Sequence, residues 1–274
     1  MNADSTFIIG TTHTVCQDYA LSHSSAEGSF VIVSDGCSTS RDSDIGARLL
    51  ARAAAKIISV SPEVDHKSVH EAASLVALKW AQGVQLPKET VDATLLTAYA
   101  DADNLLIGAT GDGVIILEAT SGETDVYSIS FPSGFPLYPT YLHQADRLKA
   151  WQVASGAIKE VKRFHAASIC EPLQLAETWI SSEATEVFRL AAANYRHVVL
   201  ISDGIHSFYR TQETITSRSL KSIPMDQQLP VLVSFKGTHG AFVTRRVKRF
   251  MKEGISNGLA HADDLAIGAI CLGD

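Results

Sequence analysis

At 274 residues, with 46% hydrophobic and 19% charged side chains, the chain can bury a sizeable core and carries too little charge for a disordered one. Its 23 Lys and Arg against 30 Asp and Glu leave a formal charge of −7, which argues against a general nucleic-acid binder. No apolar run reaches the roughly 18 residues of a membrane span, and Met1-Asn2-Ala3-Asp4-Ser5 lacks the basic start and apolar block of a secretory signal. Cys16, Cys37, Cys170 and Cys271 are scattered without paired metal-type spacing, so reduced thiols in a cytoplasm are expected.

In chain order, Phe7-Ile8-Ile9-Gly10 reads as an opening strand, followed by a polar segment over residues 11–20. Ala26-Glu27-Gly28-Ser29 forms a hairpin connection into Phe30-Val31-Ile32-Val33-Ser34-Asp35-Gly36. A buried strand that runs into Asp-Gly places a carboxylate at the sheet edge, beside a carbonyl freed by the turn. Oxygen ligands of this kind suit Mg²⁺ or Mn²⁺. In isolation, Asp-Gly after an apolar run is as a rule a plain turn.

A loop of small polar residues, 37–44, precedes a helix capped by Ser43 or Asp44, with Ile45, Leu49, Leu50, Ala53, Ile57 and Ile58 at helical spacing. A second helix is expected over residues 66–82. Strands follow at 94–100, 105–109, 114–119 and 124–130. The turn residues Asp103-Asn104, Gly111-Asp112-Gly113 and Ser121-Gly122 separate them into an antiparallel meander. Residues 131–180, interrupted by Pro132, Pro136, Pro139 and Pro172, read as strands broken by a mobile loop or flap. Residues 183–195 look helical, and 197–202 return to a buried strand that ends in Asp203-Gly204.

Helical character resumes over 240–256, where Arg245, Arg246, Lys248, Arg249 and Lys252 make one face basic. That face reads as a solvated surface, with a dock for an acidic partner as the alternative. Asp263-Asp264 opens the closing apolar run, 265–272. Without a long linker or repeat, the pattern is one α+β domain over residues 1–274.

The Asp-Gly turn is therefore not isolated. Carboxylates recur at strand ends, and a cluster of them is stable only if a cation neutralises it. Taken in order, Gln17-Asp18, Ser34-Asp35-Gly36, Thr94, Gly111-Asp112, Ser202-Asp203-Gly204 and Asp263-Asp264 resemble the metal-dependent Ser/Thr protein phosphatases. This is the PPM or type-2C family, in its compact bacterial branch, and the resemblance spans nearly the whole chain.

The resemblance implies a four-layer αββα sandwich, two antiparallel sheets flanked by helices, with a two-metal Mn²⁺ or Mg²⁺ centre at one edge. It implies Asp35, Asp203 and Asp263 as the catalytic set. Asp35 would bridge the metals, Gly36 would lend its carbonyl, and Asp203 would be a further ligand. Asp263 sits at the Asp of an Asp-Asn pair, with Asp264 in place of the Asn and standing as the alternative ligand. Asp112, with Asp203, can hold a third metal. Asp18 either touches a metal or orients metal waters by hydrogen bonds. The implied substrate is a phosphoprotein, opposite a cognate Ser/Thr kinase in bacterial signalling, with neither nucleic acid nor membrane as partner.

The chemistry suits these residue types. Two divalent ions roughly 3.5–4 Å apart can neutralise a phosphate dianion and lower the pKa of a bridging water. Attack by that metal-bridging hydroxide needs no protein nucleophile. Accordingly there is no Cys-x5-Arg loop and no Ser-His-Asp arrangement, and the N-terminal nucleophile of an amide hydrolase is missing.

The chain departs from the family's pattern in specific places. His13 stands where an Arg usually grips the substrate phosphate, and Gln17 replaces a Glu. Cys37 follows Asp35-Gly36 where many eukaryotic members have a His proposed as general acid. His13 and Arg41 are the candidates for phosphate binding, and a metal-bound water or His13 for the leaving-group proton. These losses leave a rival reading, a catalytically weak or silent phosphopeptide-binding or regulatory module on the same fold. The retained Asp35, Asp203 and Asp263 speak against it.

Overall fold

Two antiparallel sheets meet face to face along a layer of branched side chains, and helices cover each outer face. The computed structural model describes residues 1–211 and 221–273. In chain order, the first strands are β1 (Asn2–Ile8), β2 (Tyr19–Ser24) and β3 (Ser29–Ser34), followed by helices α1 (Ser43–Val60) and α2 (His66–Gly83). The meander is β4 (Leu95–Ala100), β5 (Asn104–Thr110), β6 (Gly113–Ala119) and β7 (Thr124–Ser130). Next come α3 (Ala145–Ser155), β8 (Lys159–Ala166), β9 (Gln174–Ser181), β10 (Glu186–Ala191), β11 (Tyr195–Ile201) and β12 (Phe208–Arg210). The chain closes with α4 (Met225–Leu232), α5 (Phe242–Ser256), β13 (Leu259–His261) and β14 (Leu265–Cys271).

Among the described residues, the larger sheet has the order β1-β14-β11-β6-β7-β8-β9 and the smaller β10-β5-β4-β3-β2, with β12-β13 as a separate pair. Strand periodicity distributes the side chains over three apolar layers. On β3, Phe30 and Ile32 face α1 and α2, while Val31 and Val33 enter the layer between the sheets. On β11, Val198 and Leu200 share that inner layer, while Val199 and Ile201 pack with Leu229, Phe242, Val247 and Phe250 of α4 and α5. Both strands are covered on both faces, which is why they read as unbroken hydrophobic runs rather than alternating ones. Each fully buried Ile or Leu here, such as Ile32 and Leu200, contributes about 1.5–3 kcal/mol. The four-layer α+β sandwich expected from the sequence is present.

Several local expectations change. Helix α1 follows Asp42, which has φ 55° and makes no side-chain cap, rather than starting from a Ser43 or Asp44 cap. Helix α2 does have a side-chain cap, Asp65, which accepts from the backbone N–H groups of Lys67 and Ser68. The opening strand lies earlier than expected, at Asn2–Ile8, because its register is set by β14, where Ile8 faces Leu265 and Asn2 faces Cys271. The helix expected over residues 183–195 is instead β10 and a short 3-10 turn, Ala192–Asn194. Alternate residues of β10 are covered and exposed, and it pairs with β5 along its full length. Half-burial at a sheet edge outweighs the helical propensity of this stretch. Within 131–180 the structure adds α3, which the prolines masked in the sequence.

Under α2 lies a buried polar chain. His66 Nδ1 and His70 Nε2 both meet Thr97 Oγ1 at 2.8 Å, His70 Nδ1 meets Thr110 Oγ1 at 2.7 Å, and Thr110 Oγ1 meets Thr185 Oγ1 at 2.8 Å. Burial pushes the His66 imidazole down to about 4 and that of His70 well below its ordinary value. A histidine depressed in the fold favours folding above its unfolded pKa, near 6.5, and that stability is lost as pH falls toward the folded value. We therefore expect His66 to cost about 3 kcal/mol of stability between pH 6.5 and 4, with His70 acting in the same direction. Urea midpoints of wild type and His66→Gln/His70→Gln across that range isolate the effect from the carboxylates. Parallel pH profiles for the two proteins would refute it.

Candidate active site

The elements that carry the recurring carboxylates end at one edge of the sandwich. Asp35 follows β3, Asp112 sits in the β5–β6 hairpin, Asp203 follows β11, and Asp263 precedes β14. The pairing of β11 with β14, Ile201 opposite Ile267, brings the latter two together. One carboxylate oxygen each from Asp35, Asp112 and Asp203 lies within 4.8 Å of the others. Asp263 lines the same cavity, about 770 Å³ in volume.

The serine before each Asp-Gly explains why these turns form where they do. Ser34 Oγ donates to Thr94 O at 2.7 Å, and Ser202 Oγ donates to Asp18 Oδ2 at 2.6 Å while accepting from Ala266 N at 2.9 Å. Asp35 is clamped through its main chain. Its N–H donates to Thr94 Oγ1 at 3.1 Å and its carbonyl accepts from Thr94 N at 2.8 Å, leaving the carboxylate to the cavity. The glycines permit close crossing of the backbones. A Cβ on Gly204 would lie 1.8 Å from Asp264 O, and one on Gly36 2.7 Å from Ser43 O.

Burial and mutual repulsion dominate the electrostatics of this cluster. Burial first, then the neighbouring charges of Asp18 and Asp203, pushes the Asp35 carboxyl well above its ordinary range. Burial and Asp203 do the same to Asp112, and burial and Asp263 raise Asp203. Asp18, 2% exposed, is pushed up to about 7 by burial, partly offset by hydrogen bonds with Asp35 and Ser202. An all-oxygen, mutually repelling donor set of this kind fits a hard divalent cation such as Mg²⁺ or Mn²⁺.

The structure separates Asp263 from Asp264. Asp264, 1% exposed, accepts from Gly10 N at 2.7 Å and Gln17 N at 2.6 Å, and its Oδ2 lies 3.0 Å from His13 Nδ1. Asp263 is 47% exposed and faces the cavity. His13 lies between the two, with Nε2 3.6 Å from Asp263 Oδ1. The hydrogen bond with Asp264 raises the His13 pKa against the effect of partial burial. Gln17 turns its amide to Ser43 Oγ at 2.8 Å, and Asp18, its neighbour, is the one in contact with Asp35.

Arg41 is 83% exposed at the cavity rim, with Nε 3.3 Å from Asp42 Oδ2. A guanidinium that the sequence did not single out forms part of the wall. Arg147, on α3, forks onto Asp92 with Nη1 to Oδ1 at 2.8 Å and Nη2 to Oδ2 at 2.5 Å, and lies over the Tyr141 ring at 4.5 Å. Asp92 in turn binds Ser40 Oγ, and its carbonyl accepts from Cys37 N, so this pair ties α3 to the loop after Asp35-Gly36. No spacing motif links residues 92 and 147. Cys37 also lines the cavity. Burial pushes its thiol up, but hydrogen bonds with Thr39, Tyr138 and Ser40 outweigh this and leave its pKa lowered.

Comparison with known proteins gives the family and the fold. The family model of protein phosphatase 2C matches residues 10–229. No curated protein sequence matches the chain. Among solved structures, the chain is similar to a bacterial serine phosphatase, with TM-score 0.58, 11% identity, and coverage of 100% of this chain and 98% of that one. The serine/threonine phosphatase Stp1 from Staphylococcus aureus gives TM-score 0.56 at 11% identity, covering 100% and 96%. The catalytic domain of the serine/threonine protein phosphatase PstP, in complex with 2 manganese ions, gives 0.50 at 13%, covering 97% and 96%. At these identities the likeness is one of fold.

Proposed function

The chain belongs to the protein phosphatase 2C family, and from that membership we propose that it hydrolyses phosphoserine and phosphothreonine in proteins, using Mn²⁺ or Mg²⁺. The observation that carries this reading is the convergence of Asp35, Asp112 and Asp203 in one cavity. Asp35 and Asp203, with Asp263 in the same cavity and the Gly36 carbonyl, would hold two ions, and Asp112 beside Asp203 a third. Bound there, the ions would supply neutralisation of the phosphate dianion and a water of lowered pKa. The chain's own residues do the positioning. Asp18 braces Asp35 and Ser202, so the two Asp-Gly turns keep their separation. Arg41, exposed at the rim, can reach a phosphate oxygen, and α3, tied down by Arg147, covers the cavity as the flap.

No protein nucleophile is required in this scheme. The substrate would be a phosphoprotein from a cytoplasmic Ser/Thr kinase pathway. A silent phosphopeptide-binding module is the second reading, and the engagement of His13 with Asp264 favours it, because it leaves Arg41 as the accessible phosphate ligand.

The deciding experiment is hydrolysis of a phosphothreonine peptide. Turnover is expected with Mn²⁺ and is expected to vanish in EDTA. Equal rates in EDTA would overturn the metal mechanism, and saturable peptide binding without turnover would select the silent module.

A further inference from the structure

The outer face of α5 is basic, with five Lys and Arg against the single carboxylate Glu253. Phe242, Val243, Val247 and Phe250 are buried against the larger sheet, which turns Arg245, Lys248, Arg249 and Lys252 to solvent. Arg246 is half-buried, and Lys236 joins them from the preceding loop. The Lys and Arg on the strands of the larger sheet are, by contrast, matched: Arg163 with Asp125, Lys159 with Glu186, Arg196 with Glu118, and Lys162 with Glu160. Among the described residues, none of the α5 cations has an ion-pair partner. Two are instead held by backbone carbonyls, Arg245 Nη2 by His239 O at 2.8 Å and Arg246 Nε by Val231 O. Between them opens a cavity of about 240 Å³, lined by Lys236, Arg245, Arg246 and Arg249 with Phe235 and Phe242, and by no carboxylate.

We propose that this face docks an acidic segment of a protein partner. In a chain of net charge −7, a concentrated positive patch repels itself with only Glu253 on its own helix to offset it, so a complementary anion is favoured there. The carbonyl-held guanidinium groups are already ordered, which lowers the entropy lost on binding. The patch is not a subsite of the carboxylate cavity. Phe235 packs on His197, at 5.9 Å between ring centroids, near the start of β11. Asp203 lies beyond the other end of that strand, roughly 20 Å away at about 3.3 Å per residue. A short acidic segment can contact the patch alone. A long uniform polyanion such as nucleic acid would also meet the negative remainder of the surface, which is why a polypeptide is the favoured occupant. The proposal stands independently of the phosphatase reading, since it is tested by binding.

The test uses the full chain and a fluorescently labelled peptide of alternating Glu and Gly, followed by anisotropy at low salt. Saturable binding is expected, weakened at least about tenfold by Arg245→Glu/Arg249→Glu. The same charge change on the opposite helices, Lys56→Glu/Lys79→Glu, is expected to stay within about twofold. All four side chains are exposed, so folding should persist. If the first variant nevertheless unfolds, Arg249→Gln/Lys252→Gln is expected to weaken binding about threefold, and no change there overturns the proposal. Equal losses in both double-Glu variants, no saturable binding by wild type, or tighter binding of an oligonucleotide or anionic vesicles would also overturn it.

Discussion

Asp35→Asn and Asp203→Asn are each expected to lower kcat by at least about a hundredfold while leaving the protein folded. Each removes one negative charge from the group that would hold the divalent ions, whose stabilisation acts on the transition state. Stability should move the other way. Burial and like charges raise both carboxyl pKa values, so ionising these groups costs stability in the fold, and an uncharged amide relieves that repulsion. In EDTA the variants should therefore melt at or above the wild-type temperature. Added Mn²⁺ should raise the wild-type midpoint more than theirs, since ligand binding to the folded state stabilises it by mass action. Near-wild-type turnover in either variant would remove that residue from the centre. A large loss of stability in EDTA would show that the carboxylate is structural.

The adjacent acids Asp263 and Asp264 should separate function from folding. Asp264→Ala removes an almost fully buried acceptor and strands Gly10 N, Gln17 N and the His13 ring. Charged hydrogen bonds at a buried position make this costly, about 3–5 kcal/mol, with Asp264→Asn intermediate because one oxygen remains. Asp263→Asn should change stability by less than about 1 kcal/mol, given its exposure, yet shift Mn²⁺ activation at least about tenfold toward higher concentration. Urea midpoints and Mn²⁺ activation curves of the three variants decide the matter. An inert Asp264→Ala in the urea series, or an Asp263→Asn curve that overlays the wild type, would reverse the assignment.

Those two residues also show what a sequence can determine about this chain. The Asp-Gly turns at 35–36 and 203–204 were legible because a strand buried on both faces is a run of branched apolar residues, and its abrupt end in Asp-Gly is a local event. The α+β class followed from the alternation of such runs with helical periods, and the sandwich from the family resemblance that the ordered motifs carry. The same logic misread residues 183–195, whose alternation of Val187, Phe188, Arg189 and Leu190 makes sense only once β5 offers an edge to pair with. Which of Asp263 and Asp264 faces the cavity depended on donors some 250 residues away, at Gly10 and Gln17. The turn of Gln17 toward Ser43 and the fork of Arg147 on Asp92 arose in the same way, from partners distant in the chain. Backbone type and strand ends are set by short-range sterics and burial pattern, which a sequence displays directly. Side-chain direction at the site is set by which distant donors and acceptors must be satisfied, and that only the assembled fold decides.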